Sequence, residues 1–194
     1  MANFIVIEGI DGSGKTTLCK AVYNIRVKQN NRIRTFSEPT YFETGVRLRN
    51  FLSGKIELPP EDELELFIED RKESVKRNIN PSLESGIDVL LDRYYYSTAA
   101  YQANEHRSPR EILDRNLKEN FPVPNFLFFI EIEPRIALER ISSRSENLDR
   151  FETLDKLETI YKNYQEILPP NTIRLKGEKP PEELALDVIS ILPF

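Results

Sequence analysis

The sequence predicts an α/β fold, a doubly wound five-stranded parallel sheet flanked by helices. Three observations carry that prediction. Short apolar runs alternate along the chain with stretches of helical spacing, the order expected of parallel strands joined by crossover helices. The first run is rich in β-branched residues, as a strand buried on both faces requires. It leads through a glycine-rich loop straight into a helical stretch, and the 194 residues suffice for one domain with one core.

The elements follow in order. Phe4-Ile5-Val6-Ile7 is the first strand, and a helix runs from Lys15 to about Asn30. Ile33 to Phe36 is a short second strand. Thr44 to Leu52 is a short helix with Val46, Leu48 and Leu52 as its apolar positions. Glu61 to Ile79 is the longest helix, carried by Leu64, Phe67, Ile68, Val75 and Ile79 near helical spacing. Val89-Leu90-Leu91 is the third strand, and Tyr94 to Tyr101 starts a helix. Ser108-Pro109 reads as an N-cap followed by proline at the first helical position, opening a helix to Asn120. Phe126 to Ile132 is the fourth strand and Pro134 opens a helix ending near Ser142. Thr153 to Leu168 is helical, Thr172 to Leu175 is the fifth strand, and Pro181 to Ile191 is the last helix. Right-handed crossovers put the carboxyl ends of these strands, and their loops, on one functional rim.

Composition narrows the function. Lys and Arg total 27 against 32 Asp and Glu, a net charge of −5. That balance lacks the electrostatic footprint of a protein that binds polymeric nucleic acid, so useful cations must cluster in a pocket. A single cysteine, Cys19, leaves no intrachain disulfide and suits a reducing compartment; we read it as a packing residue. The first residues carry no basic segment or cleavable apolar run, and the longest apolar run, Phe126 to Ile130, is far too short to cross a bilayer. These features predict a cytoplasmic protein with no membrane partner.

Gly9-Ile10-Asp11-Gly12-Ser13-Gly14-Lys15-Thr16 fits G-x-x-x-x-G-K-[ST], with a strand before it and a helix after it. In such a loop the glycines let backbone N–H groups turn inward, where they and the helix N-terminus bind phosphate. Lys15 reaches the β- and γ-phosphates, Thr16 coordinates Mg²⁺, and Thr17 continues the binding turn into the helix. The loop implies a nucleotide but not a reaction. The base-reading sequence N-K-x-D of GTPases is absent, so the phosphoryl acceptor must be found elsewhere.

The third strand ends in Leu91-Asp92-Arg93 and runs on as Tyr94-Tyr95-Tyr96-Ser97-Thr98-Ala99-Ala100-Tyr101-Gln102. Asp92 and Arg93 leave the sheet beside the phosphate loop. A carboxylate there can hold a metal-bound water, and a guanidinium can grip a phosphate through paired donors. The run from Leu90 to Gln102 resembles the signature of the thymidylate kinase family, within the P-loop nucleoside monophosphate kinases. The phosphate loop with its Asp11, Ser37-Glu38-Pro39, the helical Phe67 to Arg71 stretch and the arginine-rich segment from Arg140 to Glu152 are similar to the family's other landmarks, in the same order.

The resemblance implies a P-loop kinase fold as a single domain with a short lid at about residues 141–152. It implies transfer of phosphate from ATP to dTMP with Mg²⁺, in dTTP biosynthesis, by a homodimer. It implies that Phe67 stacks on thymine, which suits an aromatic face, and that Arg71, four residues on, bonds a base carbonyl. Arg93 and Arg49 then hold the acceptor's phosphate. Thr98 and Gln102 touch the base edge, Tyr101 crowds the 2′ position of the sugar, and Asp11 and Glu38 lie near the sugar and the metal-bound phosphates. Some members of the family carry an arginine inside the phosphate loop and others supply it from the lid. Gly12 and Ser13 stand in the loop here, so the lid supplies it, with Arg144 the first choice, Arg140 the second, and Arg150 over the adenine. Ser97 is expected to cap its helix, and Arg47 and His106 to be surface residues. The chain departs from the family where Ser37 precedes Glu-Pro and Thr40-Tyr41-Phe42-Glu43 replaces a Gly-Gly segment. Two other readings stay open on the residues: a related kinase for another nucleoside monophosphate or a nucleoside, and a nucleotide-binding regulator without kinase chemistry.

Overall fold

A computed structural model describes residues 2–143 and 153–193. Its order is β1 (Phe4–Glu8), α1 (Lys15–Lys28), β2 (Ile33–Ser37), α2 (Glu43–Leu52), α3 (Pro60–Ser74), a π-helical turn (Val75–Ile79), α4 (Asn80–Glu84), β3 (Asp88–Asp92), α5 (Tyr95–Tyr101), α6 (Pro109–Leu117), β4 (Phe126–Glu131), α7 (Pro134–Ser142), α8 (Leu154–Ile167), β5 (Ile173–Lys176) and α9 (Pro181–Ile191). The five strands pair in the order β2-β3-β1-β4-β5, all parallel. This is the predicted doubly wound α/β architecture.

Strand parity splits the apolar side chains into two layers. Phe4, Val6, Val89, Leu91, Leu127 and Phe129 face a core shared with α3, α5, α6, α7 and α8. Ile5, Ile7, Leu90, Phe128 and Ile130 face the opposite core, closed by α1 and α9. Every residue of β1 and β3 is buried, which suits the apolar runs at residues 4–7 and 89–91 within them. Among the described residues no helix is long and apolar enough to cross a membrane.

One element differs in kind from its prediction. The helix expected to stop at Ile79 continues to Glu84, through the π-helical turn at Val75–Ile79. Pro81 follows that turn, lacks an N–H, and would press on a carbonyl four residues back in a regular helix. The wider turn relieves that contact, so the rod passes a residue that usually ends one. The N-cap prediction at Ser108 is matched in full. Its hydroxyl accepts from the Glu111 N–H at 3.2 Å, and the Glu111 carboxylate accepts from the Ser108 N–H at 2.8 Å.

Candidate active site

The site grows from the central strands. Ile7 of β1, Asp92 of β3 and Ser37 of β2 lie in register across the sheet, so the segments that follow them leave side by side. Glu38 N–H donates to Asp92 O at 3.1 Å and Arg93 N–H to Ile7 O at 3.1 Å. Phosphate loop, Glu38 loop and Arg93 therefore meet at the carboxyl edge, where open parallel sheets place their ligands.

The phosphate loop is wedged against α7. A side-chain carbon at Gly12, whose φ is +77°, would lie 2.3 Å from Ala137 O, so glycine is required by contact as well as by conformation. Lys15 is buried and its Nζ donates to Ile10 O at 2.8 Å. Burial, and then the nearby Arg93 cation, lowers its pKa to about 8, against the opposing pull of Asp11, Asp92 and Glu8. Thr16 Oγ1 donates to Asp92 Oδ2 at 2.7 Å, while Asp92 Oδ1 is buried with no hydrogen-bond partner. No cluster of three or more His, Cys, Asp or Glu able to hold a metal occurs among the described residues. The Thr16–Asp92 pair with its spare oxygen instead fits Mg²⁺ held largely by phosphates and water.

Beside the loop lies a cleft whose walls include Asp11, Glu38, Phe67, Arg71, Arg93, Thr98, Tyr101 and Gln102. The structure thus brings together seven predicted acceptor-site residues, Glu38 among them, with the loop aspartate. Phe67 is half-buried on the wall. Arg71 is 2% exposed, which excludes a surface ion pair with Glu69 or Asp70. It bonds Glu38 Oε2 through Nε at 2.9 Å and Nη2 at 2.8 Å, Thr98 Oγ1 at 3.0 Å and Asn116 Oδ1 at 2.5 Å. Glu38 Oε1 is buried and unpartnered. Burial raises the Glu38 pKa to about 7, with Asp70 adding to the rise and Arg71 opposing it. Gln102 Nε2 is likewise buried without a partner.

Arg93 has φ +70°, a left-handed conformation costing a non-glycine residue roughly 1–2 kcal/mol. Its guanidinium is well placed in return. It pairs with Asp11, and contacts Tyr101 Oη at 3.2 Å and Ser97 Oγ at 3.2 Å. Tyr101 Oη donates to Asp11 at 2.9 Å. Burial pushes the Asp11 carboxyl up, yet Arg93, Lys15 and these hydrogen bonds outweigh it and leave its pKa below the usual value.

The altered loop after β2 is held from below by a residue that sequence reasoning passed over. Asp70 is 1% exposed and accepts from Thr40 N at 2.8 Å, Thr40 Oγ1 at 2.5 Å and Thr44 Oγ1 at 2.7 Å. From α2, Arg49 donates to Thr40 O and to Pro39 O, the latter at 2.5 Å, with its guanidinium 4.4 Å from the Tyr41 ring centre. Gly45 admits the loop, since a side-chain carbon there would overlap Thr40 O at 1.9 Å. Arg49 thus shapes this loop's backbone, and Tyr41 is 84% exposed.

On the other side of the phosphate loop, Ser13, Gly14 and Thr17 line a second cleft with Arg140, Gly177 and Lys179. Arg140 Nη1 donates to Gly177 O at 3.0 Å. Gly9 and Ile10 sit at the loop's base, with Arg93 Nη1 3.4 Å from Gly9 O. Arg144, Arg150 and most of the lid predicted at 141–152 lie outside the described residues. Arg47 and His106 are exposed and Cys19 is buried, as expected. Ser97 is a correction. It is the third residue of α5, not its cap, and its hydroxyl donates to Glu8 at 2.6 Å. Glu8, Asp70 and Asn116 were missed. A lone carboxylate ending an apolar strand, and an asparagine on the Ile112–Leu113 face of α6, were the available signals.

A family model described as thymidylate kinase matches residues 7–188. The chain is 50% identical over 188 residues to the thymidylate kinase of Leptospira borgpetersenii serovar Hardjo-bovis, covering 97% of this chain and 92% of that one. It is 49% identical over 188 residues, with the same coverage, to the thymidylate kinase of Leptospira interrogans serogroup Icterohaemorrhagiae serovar copenhageni. Against a probable thymidylate kinase of Archaeoglobus fulgidus it is 36% identical, covering 97% and 93% of the two chains. With phosphate loop and acceptor cleft already side by side on the sheet edge, these matches across nearly the whole length mean that the chain belongs to the thymidylate kinase family.

Proposed function

We propose that the protein transfers the γ-phosphoryl group of ATP to dTMP, giving dTDP and ADP as a step of dTTP biosynthesis. The observation that carries this is the joint placement of Phe67, Arg71, Arg93 and Tyr101 around one cleft beside the phosphate loop. A base-sized aromatic wall and two fixed guanidiniums suit an acceptor that is itself a nucleotide; a regulator that reads one nucleotide needs no such cleft.

In this reading Phe67 stacks on thymine and Arg71 bonds a base carbonyl. Glu38, Thr98 and Asn116 hold that guanidinium in plane, and Thr98 and Gln102 meet the base edge. Tyr101 limits room at the 2′ position. Arg93 grips the acceptor phosphate, and Arg49 fixes the loop that borders it. Gly9 to Thr17 hold the donor phosphates, with Lys15 on the transferred group, and Arg140 lies on the donor side with Arg144 and Arg150 as further lid cations. Thr16 and Asp92 hold Mg²⁺, which when bound neutralises charge on the donor phosphates. The acceptor is already a phosphate monoester, so positioning and positive charge do more than a strong base. Family membership further supports a homodimer in the cytoplasm and a single kinase domain with a lid near 141–152.

The test is a coupled ADP-release assay across dTMP, dUMP, dCMP, AMP, GMP and thymidine. dTMP should be preferred; stronger turnover of another acceptor would overturn the assignment. Lys15→Ala and Arg93→Ala should each lower kcat/KM by about a hundredfold or more. Phe67→Ala should weaken dTMP binding by about tenfold, the scale of one lost stacking contact, and unchanged affinity would return Phe67 to the core.

A further inference from the structure

Glu8 is the one ionisable residue of β1. It is 0% exposed and lies on the face of Phe4 and Val6, pointing into the layer that holds α5 and α8. A carboxylate so placed is retained only if donors replace its lost water. Four do. Oε1 accepts from Tyr94 N–H at 2.8 Å and Ser97 N–H at 3.3 Å. Oε2 accepts from Ser97 Oγ at 2.6 Å and Tyr164 Oη at 2.9 Å, and these two hydroxyls stand 2.8 Å apart.

The arrangement converges on one neighbour. Tyr94 follows Arg93, the residue held in a left-handed backbone conformation. Its amide on Glu8 fixes the chain on one side of Arg93, and the Arg93 N–H on Ile7 O fixes the other. Ser97 Oγ, oriented by its bond to Glu8, turns its remaining acceptor capacity to Arg93 Nη1 at 3.2 Å. Burial raises the Glu8 pKa, and the Ser97 hydrogen bond, the Arg93 charge and the Tyr94 and Tyr164 hydrogen bonds oppose that rise. Backbone and guanidinium of Arg93 are thus both referred to one buried carboxylate.

We propose that Glu8 is a positioning residue of the kinase, holding Arg93 in the geometry that receives the acceptor's phosphate, with Ser97 as the link. This rests on the reading of Arg93 as the acceptor-phosphate ligand. The competing role is a plain structural one, a buried acceptor for the first amides of α5. The two differ in what they do to ligands with and without a phosphate.

The experiment measures dissociation constants of dTMP and thymidine by calorimetry for wild type, Glu8→Gln, Arg93→Ala and the double variant. Glutamine keeps the volume but turns an amide N–H₂ toward groups that donate. Glu8→Gln should weaken dTMP by about tenfold or more while thymidine changes by less than about twofold, the scale of one charge-assisted contact. In the Arg93→Ala background the same change should alter dTMP affinity by less than about twofold, because the two act as one unit. Equal losses for dTMP and thymidine, or a full effect persisting without Arg93, would overturn the proposal. An Arg93→Ala variant that left the dTMP-to-thymidine ratio unchanged would overturn the reading of Arg93, and Glu8's role with it. If Glu8→Gln does not fold, Ser97→Ala removes the link alone. A reduced ratio then supports the proposal and an unchanged one overturns it.

Discussion

Lys15 shows how strongly the site is polarised. An ammonium prefers to stay protonated to well above neutral pH, but burial and the adjacent Arg93 bring its pKa to about 8. Bound phosphate favours the charged form, so the pKa of Lys15 is higher with donor than without it. Between those two values donor binding takes up a proton, and affinity falls as pH rises through 8. At pH 8 the uptake should be about half a proton. Calorimetry in two buffers of different ionisation enthalpy reads it directly, and Lys15→Ala should abolish it. Arg71 carries a related lesson. Helical spacing put it on the face of Phe67, but only the fold shows its guanidinium buried among Glu38, Thr98 and Asn116. Those partners lie 33, 27 and 45 residues away, beyond any local pattern.

Among the elements, those made by local rules were legible and those made by packing were not. The capping box at Ser108 and Glu111 spans three residues and could be read at sight, so Ser108→Ala should cost about 1 kcal/mol. Denaturant unfolding measures that loss, and kcat for dTMP should not change, because the cap is exposed and away from the cleft. The π-helical turn at Val75–Ile79 left no trace in the apolar spacing, which only marked the rod as helical. The loop after β2 was recognised as unusual from Thr40 to Glu43, but the residue that orders it sits in a charged run on α3. Asp70→Ala leaves two Thr40 donors and the Thr44 hydroxyl without their acceptor. That should destabilise the protein by about 2 kcal/mol. It should also weaken dTMP binding more than ATP binding, which equilibrium titration of each ligand would show.

At the scale of the whole molecule, the doubly wound parallel sheet was legible from run composition and handed crossovers, whereas the strand order β2-β3-β1-β4-β5 and the division of apolar side chains between two layers come from the structure. One continuous sheet joins the layers, so thermal unfolding should be a single transition in the absence of ligand. dTMP at about a hundred times its Kd should raise Tm by about 5–10 °C, the shift that binding linkage gives a chain of this size. Scanning calorimetry checks both, and two separated transitions would contradict the single-domain reading. The contact between Gly12 and Ala137 reaches further than stability. An arginine inside the loop would need room for a side chain at this position. In this chain a side chain at Gly12 meets the α7 backbone at 2.3 Å, and a backbone atom cannot swing aside as a side chain can. Placing a larger residue there therefore requires displacement of a helix as well as a change of codon. A chain that packs α7 this closely has closed the one-step route to a side chain at that point of the loop.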